Sequence, residues 1–137
     1  MTISANAVPA TSTAQDVLAL VARLLLATLF ILAGINKIGA MEGTVGYISS
    51  VGLPFPELVY FGTVAFEIVG GLMLAAGFKA RYVGFAMGIF TLLTAVIFHS
   101  DFSQQMEVTL FLKNLAIAGG MFAIAAFGAG RLSVDRG

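Results

Sequence analysis

The 137-residue chain has no cysteine, no tryptophan and a single histidine, His99. Without thiols it can form no disulfide, offer no thiolate nucleophile and hold no iron–sulfur cluster through cysteine. One imidazole also excludes a two-histidine haem site within the chain. No glycine-rich nucleotide fingerprint stands at a strand-to-helix junction, because no strand is predicted. Any redox chemistry must therefore reside on a bound organic molecule or on a partner protein. Charge is scarce as well: seven basic and seven acidic residues make 10% of the chain and cancel, against about 25% in soluble domains. A neutral surface gives nucleic acid nothing to bind. What fills the sequence is apolar, 59% of residues, with a mean hydropathy of +1.00. This is the composition of an integral membrane protein.

The stretch from Pro54 to Phe78 carries one acid, Glu67, near the middle of an apolar run. A spanning helix needs about 20 such residues for about 30 Å of hydrocarbon, which puts Glu67 near the midplane. A charge at that depth costs about 2.5 to 3.5 kcal/mol unless it faces protein and finds a partner. Glu67 is therefore either half of a structural ion pair or an acid that faces a ligand or handles protons.

Residues 1–15 are small and polar and read as a disordered tail, without the basic n-region of a signal peptide. The first span, about Val17 to Ile38, places Arg23, Phe30 and Lys37 seven residues apart with Ala27 and Gly34 between them, so one face should point inward. Lys37, at the end, reads as a snorkelling interfacial lysine, and Arg23, deeper, as a side chain with a structural partner. In the connection from Gly39 to Phe55, Met41, Val45, Ile48 and Val51 recur at helical spacing, which suggests a short interfacial helix before Pro54 and Pro56. The turn Lys79-Ala80-Arg81 makes the second and third spans antiparallel neighbours. The third, about Tyr82 to Phe98, carries Gly84 and Gly88 as a GxxxG pair, read as packing within the chain. His99 beside Asp101 is either an interfacial histidine or part of a proton relay. The fourth span, about Glu107 to Gly128, holds Lys113 and Asn114, and residues 131–137 return to solvent as a tail.

The fold class that follows is all-α, a transmembrane antiparallel four-helix bundle over residues 16–130 with a short interfacial helix between the first two spans. Four spans put Lys79, Arg81, Arg131 and Arg136 on one side and Lys37 on the other, so both termini are expected in the cytoplasm, in the cell's inner membrane. Counted from the outer edge, His99 and Lys37 lie at the surface, Lys113 about 9 Å down, Glu67 about 15 Å and Arg23 about 22 Å. Glu67 is bracketed by Arg23 and Lys113, and Arg23 is the expected partner from the inner side. One acid cannot neutralise two cations. Either Lys113 is deprotonated, or water reaches it, or a carbonyl-bearing or anionic ligand completes the set. The corresponding site is a pocket open to the outer side, lined by Glu67, Lys113 and Asn114 with Lys37 or His99 and walled by phenylalanine; the alternative is a hydrated crevice that binds nothing specific. No metal site is expected.

The stretches RLLLATLFILAGINKI, GLPFPEL, EIVGGLMLAAG and FLKNLAIAGG fall in order between Arg23 and Gly120, and in them the chain resembles the DoxX family of small bacterial and archaeal membrane proteins. The resemblance implies a compact four-helix bundle and an association with membrane redox complexes, since the family takes its name from a polypeptide linked to a terminal quinol oxidase and includes subunits of thiosulfate:quinone oxidoreductases. Carried onto this chain, the family's polar positions are Arg23, Lys37, Glu67, Lys113 and Asn114. Fold relatives that handle disulfides use cysteines, so that chemistry does not transfer. Three functions remain open at this stage: an accessory subunit without catalysis of its own that binds a quinone or another small lipophile beside a redox partner; a small-molecule or proton-coupled transporter, which with four helices would need a homo-oligomer; and a structural or assembly factor.

Overall fold

The computed structural model describes residues 12–137, and among them the chain forms five helices and no strand: α1 Thr13–Ile38, α2 Met41–Ser50, α3 Pro56–Ala76, α4 Ala80–Phe98 and α5 Gln105–Phe127. Four are long and apolar enough to cross a membrane, α1, α3, α4 and α5. The transmembrane four-helix bundle is thus the architecture, and α2 is the short helix expected in the first connection. The expected tail at residues 1–11 lies outside the described residues. Residues 13–15 are helical, earlier than the apolar pattern suggests, because Ser12 caps α1. Its hydroxyl accepts from the Gln15 N–H at 3.1 Å while the Gln15 side chain accepts from the Ser12 N–H at 2.8 Å. This reciprocal box satisfies two of the amides that a helix start leaves without partners.

The bundle is built from two antiparallel pairs: α1 packs chiefly on α3, and α4 chiefly on α5. The second pair closes where Gly84 meets α5, since a Cβ there would stand 2.8 Å from the Met121 carbonyl oxygen and Gly88 lies against the Phe122 ring. The GxxxG pair therefore serves packing within the chain. The core gathers Ala27, Phe30, Leu74, Met87, Met121 and Ile124 toward the end that holds the termini. Large side chains such as Leu18, Leu25, Leu32, Val69, Phe85 and Leu112 point outward. With spanning helices behind them, these form the lipid-facing surface.

The C-terminal segment is largely exposed, as the sequence suggests, but it is also held to the bundle. It folds back across the end of α3 and the start of α4: the Val134 and Asp135 N–H groups donate to Ala76 and Gly77 carbonyls at 3.0 Å each, and the Asp135 carboxylate accepts from the Lys79 and Ala80 N–H groups at 2.8 Å each. α4 has no capping side chain of its own, so the C-terminal segment supplies one. Gly77 is needed at this crossing. It adopts φ +69, and a Cβ on it would collide with Ser133.

Candidate functional site

α1 runs toward α2, and α3 returns beside it. Gly34 lets the two approach, for a Cβ there would lie 2.6 Å from Ile68 Cγ1 and 3.4 Å from Glu67 Cβ. Glu67 is therefore level with Gly34, about one turn from Lys37. The start of α3 extends past the end of α1, where Tyr60 donates its hydroxyl to the Lys37 carbonyl at 2.9 Å and α2 lies alongside. Helical side chains tilt toward the N-terminus, so Lys37 leans into the bundle. Its Nζ donates to both Glu67 oxygens at 3.0 Å, with side-chain exposures of 30% and 7% for Lys37 and Glu67.

This corrects two expectations. Lys37 does not snorkel outward, and Arg23 is not the partner of Glu67. Depth counting failed because it set the ends of all helices in one plane. Arg23 is 1% exposed and spends its guanidinium on main chain: Nε donates to the Ala129 carbonyl at 2.9 Å, Nη1 to Leu74 at 3.1 Å and Ala75 at 2.8 Å, and Nη2 to Leu132 at 2.5 Å. Leu74 and Ala75 belong to the last turn of α3, and Ala129 and Leu132 to the segment that follows α5. Four carbonyls around the guanidinium take up its five forked donors more fully than one carboxylate could. Arg23 is thus the clasp of the terminal end and lies outside the site.

On the α2 side of the core the two helix pairs part around a cavity of about 310 Å³. Lys37, Glu67, His99, Lys113 and Asn114 all border it, and Phe30, Phe90 and Phe98 supply aromatic wall. Asn114 donates through Nδ2 to Thr94 Oγ1 at 3.1 Å and to the Thr91 carbonyl at 3.3 Å, which turns its side chain toward α4. Lys113 forms no hydrogen bond and no ion pair among the described residues. With Glu67 already matched by Lys37, Lys113 is the uncompensated charge of the cavity.

At the rim, His99 Nδ1 and Glu107 Oε2 are 3.0 Å apart. The expected neighbour, Asp101, is occupied in its own turn, where it accepts from the Ser103 amide and hydroxyl and from the Gln104 side chain. Hydrogen bonds from the Ser103 hydroxyl, then from its N–H, hold the Asp101 carboxyl below its ordinary range. α2 turns Thr44, Tyr47 and Ile48 to the cavity. The Tyr47 hydroxyl donates to the Phe98 carbonyl at 2.9 Å, and partial burial, with the Glu107 carboxylate second, pushes this phenol up, so it stays a donor. Sequence reading missed Tyr47, Glu107 and the threonines at 63, 91 and 94. The helical spacing of Tyr47 with Thr44 and Ile48, and of Thr91 with Thr94, was the only signal available.

The family model for DoxX matches residues 18–100. The chain belongs to the DoxX family. The matched stretch holds Arg23, Lys37, Glu67 and His99, while Lys113 and Asn114 lie beyond it on α5. Among similar proteins, inner membrane protein YqjF of Escherichia coli (strain K12) is 41% identical over 122 residues, 89% of this chain and 92% of the relative. Inner membrane protein YphA of the same organism is 34% identical over 128 residues, 90% and 91% of the two chains. The "Putative oxidoreductase CatD" of Bacillus subtilis (strain 168) is 28% identical over 109 residues, 75% of this chain and 80% of the relative. No solved structure matches this DoxX family member significantly.

Proposed function

We propose that this DoxX family protein binds a quinone or a similar small lipophile and works, without catalysis of its own, as an accessory subunit beside a redox partner in the inner membrane. The observation that carries this reading is the free ammonium of Lys113 at the border of a phenylalanine-walled cavity whose acid is already paired. Mostly apolar walls with a few placed polar groups suit a ring that bears carbonyl oxygens. A carbonyl accepts from Lys113 without bringing a second charge into the bundle, while Asn114, with Nδ2 given to Thr91 and Thr94, serves as a fixed part of the wall. The name of CatD points to redox work, and those of YqjF and YphA to the inner membrane. The basic residues at the terminal end, Lys79, Arg81, Arg131 and Arg136, favour cytoplasmic termini and hence a cavity on the outer side.

Native mass spectrometry of the gently extracted protein tests this. A quinone should accompany the wild-type chain, and Lys113→Met should lose it with an unchanged melting temperature. Wild-type protein free of quinone, or a Lys113→Met variant that retains its full ligand content, would overturn the reading.

A further inference from the structure

α1 and α5 touch little, and they meet where Leu26 lies over Gly120, with Leu26 Cδ1 3.3 Å from where a Cβ would stand. From that contact toward α2 they face each other across the cavity, with Leu29, Phe30 and Ala33 on one side and Lys113, Asn114 and Ile117 on the other. Counted at 1.5 Å per residue from the contact, Leu29 stands about 4 Å and Lys113 about 10 Å further on. Both border the cavity, and both are exposed. Tyr47 is the remaining exposed residue of the lining, and its hydroxyl is fixed to the Phe98 carbonyl with the rings 5.2 Å apart. Beside it Ile48 is buried. The cavity is thus covered by α2 and open on its flank.

That flank lies in the membrane. Lys113 is eight residues into α5, about 12 Å from the helix start, so the opening faces acyl chains and not water. From this we infer that the slot between α1 and α5 is a lateral portal, and that the cavity's ligand is an amphiphile with a compact oxygen-bearing ring inside and an alkyl or isoprenoid tail lying outside in the bilayer. Size supports the division: about 310 Å³ is at the small end of ligand sites, roughly 300 to 1,000 Å³, which suits a substituted ring with its tail outside. Leu25, one residue before the Leu26 contact, and Leu112, next to Lys113, are exposed and add apolar surface for the tail. Lys113, at its edge, meets the head as it enters. This rests on the ligand reading proposed above and adds the route and the tailed class of ligand.

The test uses a benzoquinone that carries a ten-carbon tail with a photoreactive diazirine on it, added to the full-length protein in liposomes, and the same ring without a tail as competitor. Peptide mass spectrometry should place the label on Leu25, Leu29, Leu112 and their neighbours on α1 and α5, and excess tailless ring should abolish it at least tenfold. Lys113→Met should remove the competed fraction. Labelling that is competed but falls on residues 41–55 of the α2 segment would overturn the portal while leaving the ligand. Labelling that no excess of ring displaces would overturn the ligand reading itself.

Discussion

Removing one member of the Lys37–Glu67 pair leaves the other facing the cavity without a counter-charge. Truncating one side of a buried pair costs about 3 to 5 kcal/mol. Lys37 is partly exposed, so the expected loss is smaller, about 2 kcal/mol for Lys37→Met. Glu67→Gln keeps an acceptor for Lys37 and should cost less than Lys37→Met, yet more than Glu42→Gln on exposed α2, where about 0.5 kcal/mol bounds the effect. The Lys37→Met/Glu67→Gln double variant should lose less than the sum of the two. Thermal midpoints in one mild detergent decide it, and equal midpoints for Glu67→Gln and Glu42→Gln would contradict the pair. Asp101 offers a pH test. Its carboxyl is held low by Ser103, so the turn's contribution is complete above the ordinary carboxylate range and is lost as pH falls through the lowered value. Hydrogen exchange at the Ser103 amide should then be independent of pH near neutrality, once intrinsic rates are divided out, and should rise only in acid.

At the scale of elements, the α4–α5 pair depends on backbone approach. A side chain at Gly84 meets the Met121 carbonyl oxygen, which cannot move without its helix, whereas a Cβ on Gly119 meets nothing within 4 Å. Gly84→Val should therefore cost about 1 to 3 kcal/mol through overpacking, and Gly119→Ala should be neutral or slightly stabilising through helix propensity. Melting of the two variants side by side is the measurement. The C-terminal segment is an element in its own right. Its Asp135 caps α4, so Asp135→Ala should cost about 1 kcal/mol, and amide exchange should quicken at Lys79 and Ala80 and not at the far end of the helix.

At the scale of the molecule, four crossings put the turn between α3 and α4 and both described chain ends on one side of the bilayer. The expected side is the cytoplasm, and the basic residues that argue for it sit at that end, whereas Lys37, the cation counted against it, points into the bundle. Reporter fusions at the Lys79–Arg81 turn and after Gly137 should both report cytoplasmic placement. An external signal from the turn would invert the topology and turn the cavity toward the cytoplasm.

Spans, connections and the inward face of α1 were legible because each is set locally: hydropathy over about 20 residues makes a span, and seven-residue recurrence of Arg23, Phe30 and Lys37 makes a face. The cost of buried charge likewise marked Glu67 and Lys113 as residues that need an answer. Which charges meet was not legible, because pairing depends on how far one helix slides past another. Gly34 and the overhang of α3 set that offset, bringing Lys37 and not Arg23 to Glu67. Hydropathy reads the tail as exposed, which most of its residues are, and is silent on the Leu132 carbonyl that serves Arg23 and the Asp135 carboxylate that caps α4. Composition determines that this chain lives in a membrane. Only the packing of the two helix pairs decides that a cavity remains between them and that Lys113 borders it unpaired, because voids and register belong to the contact between helices and to no helix alone.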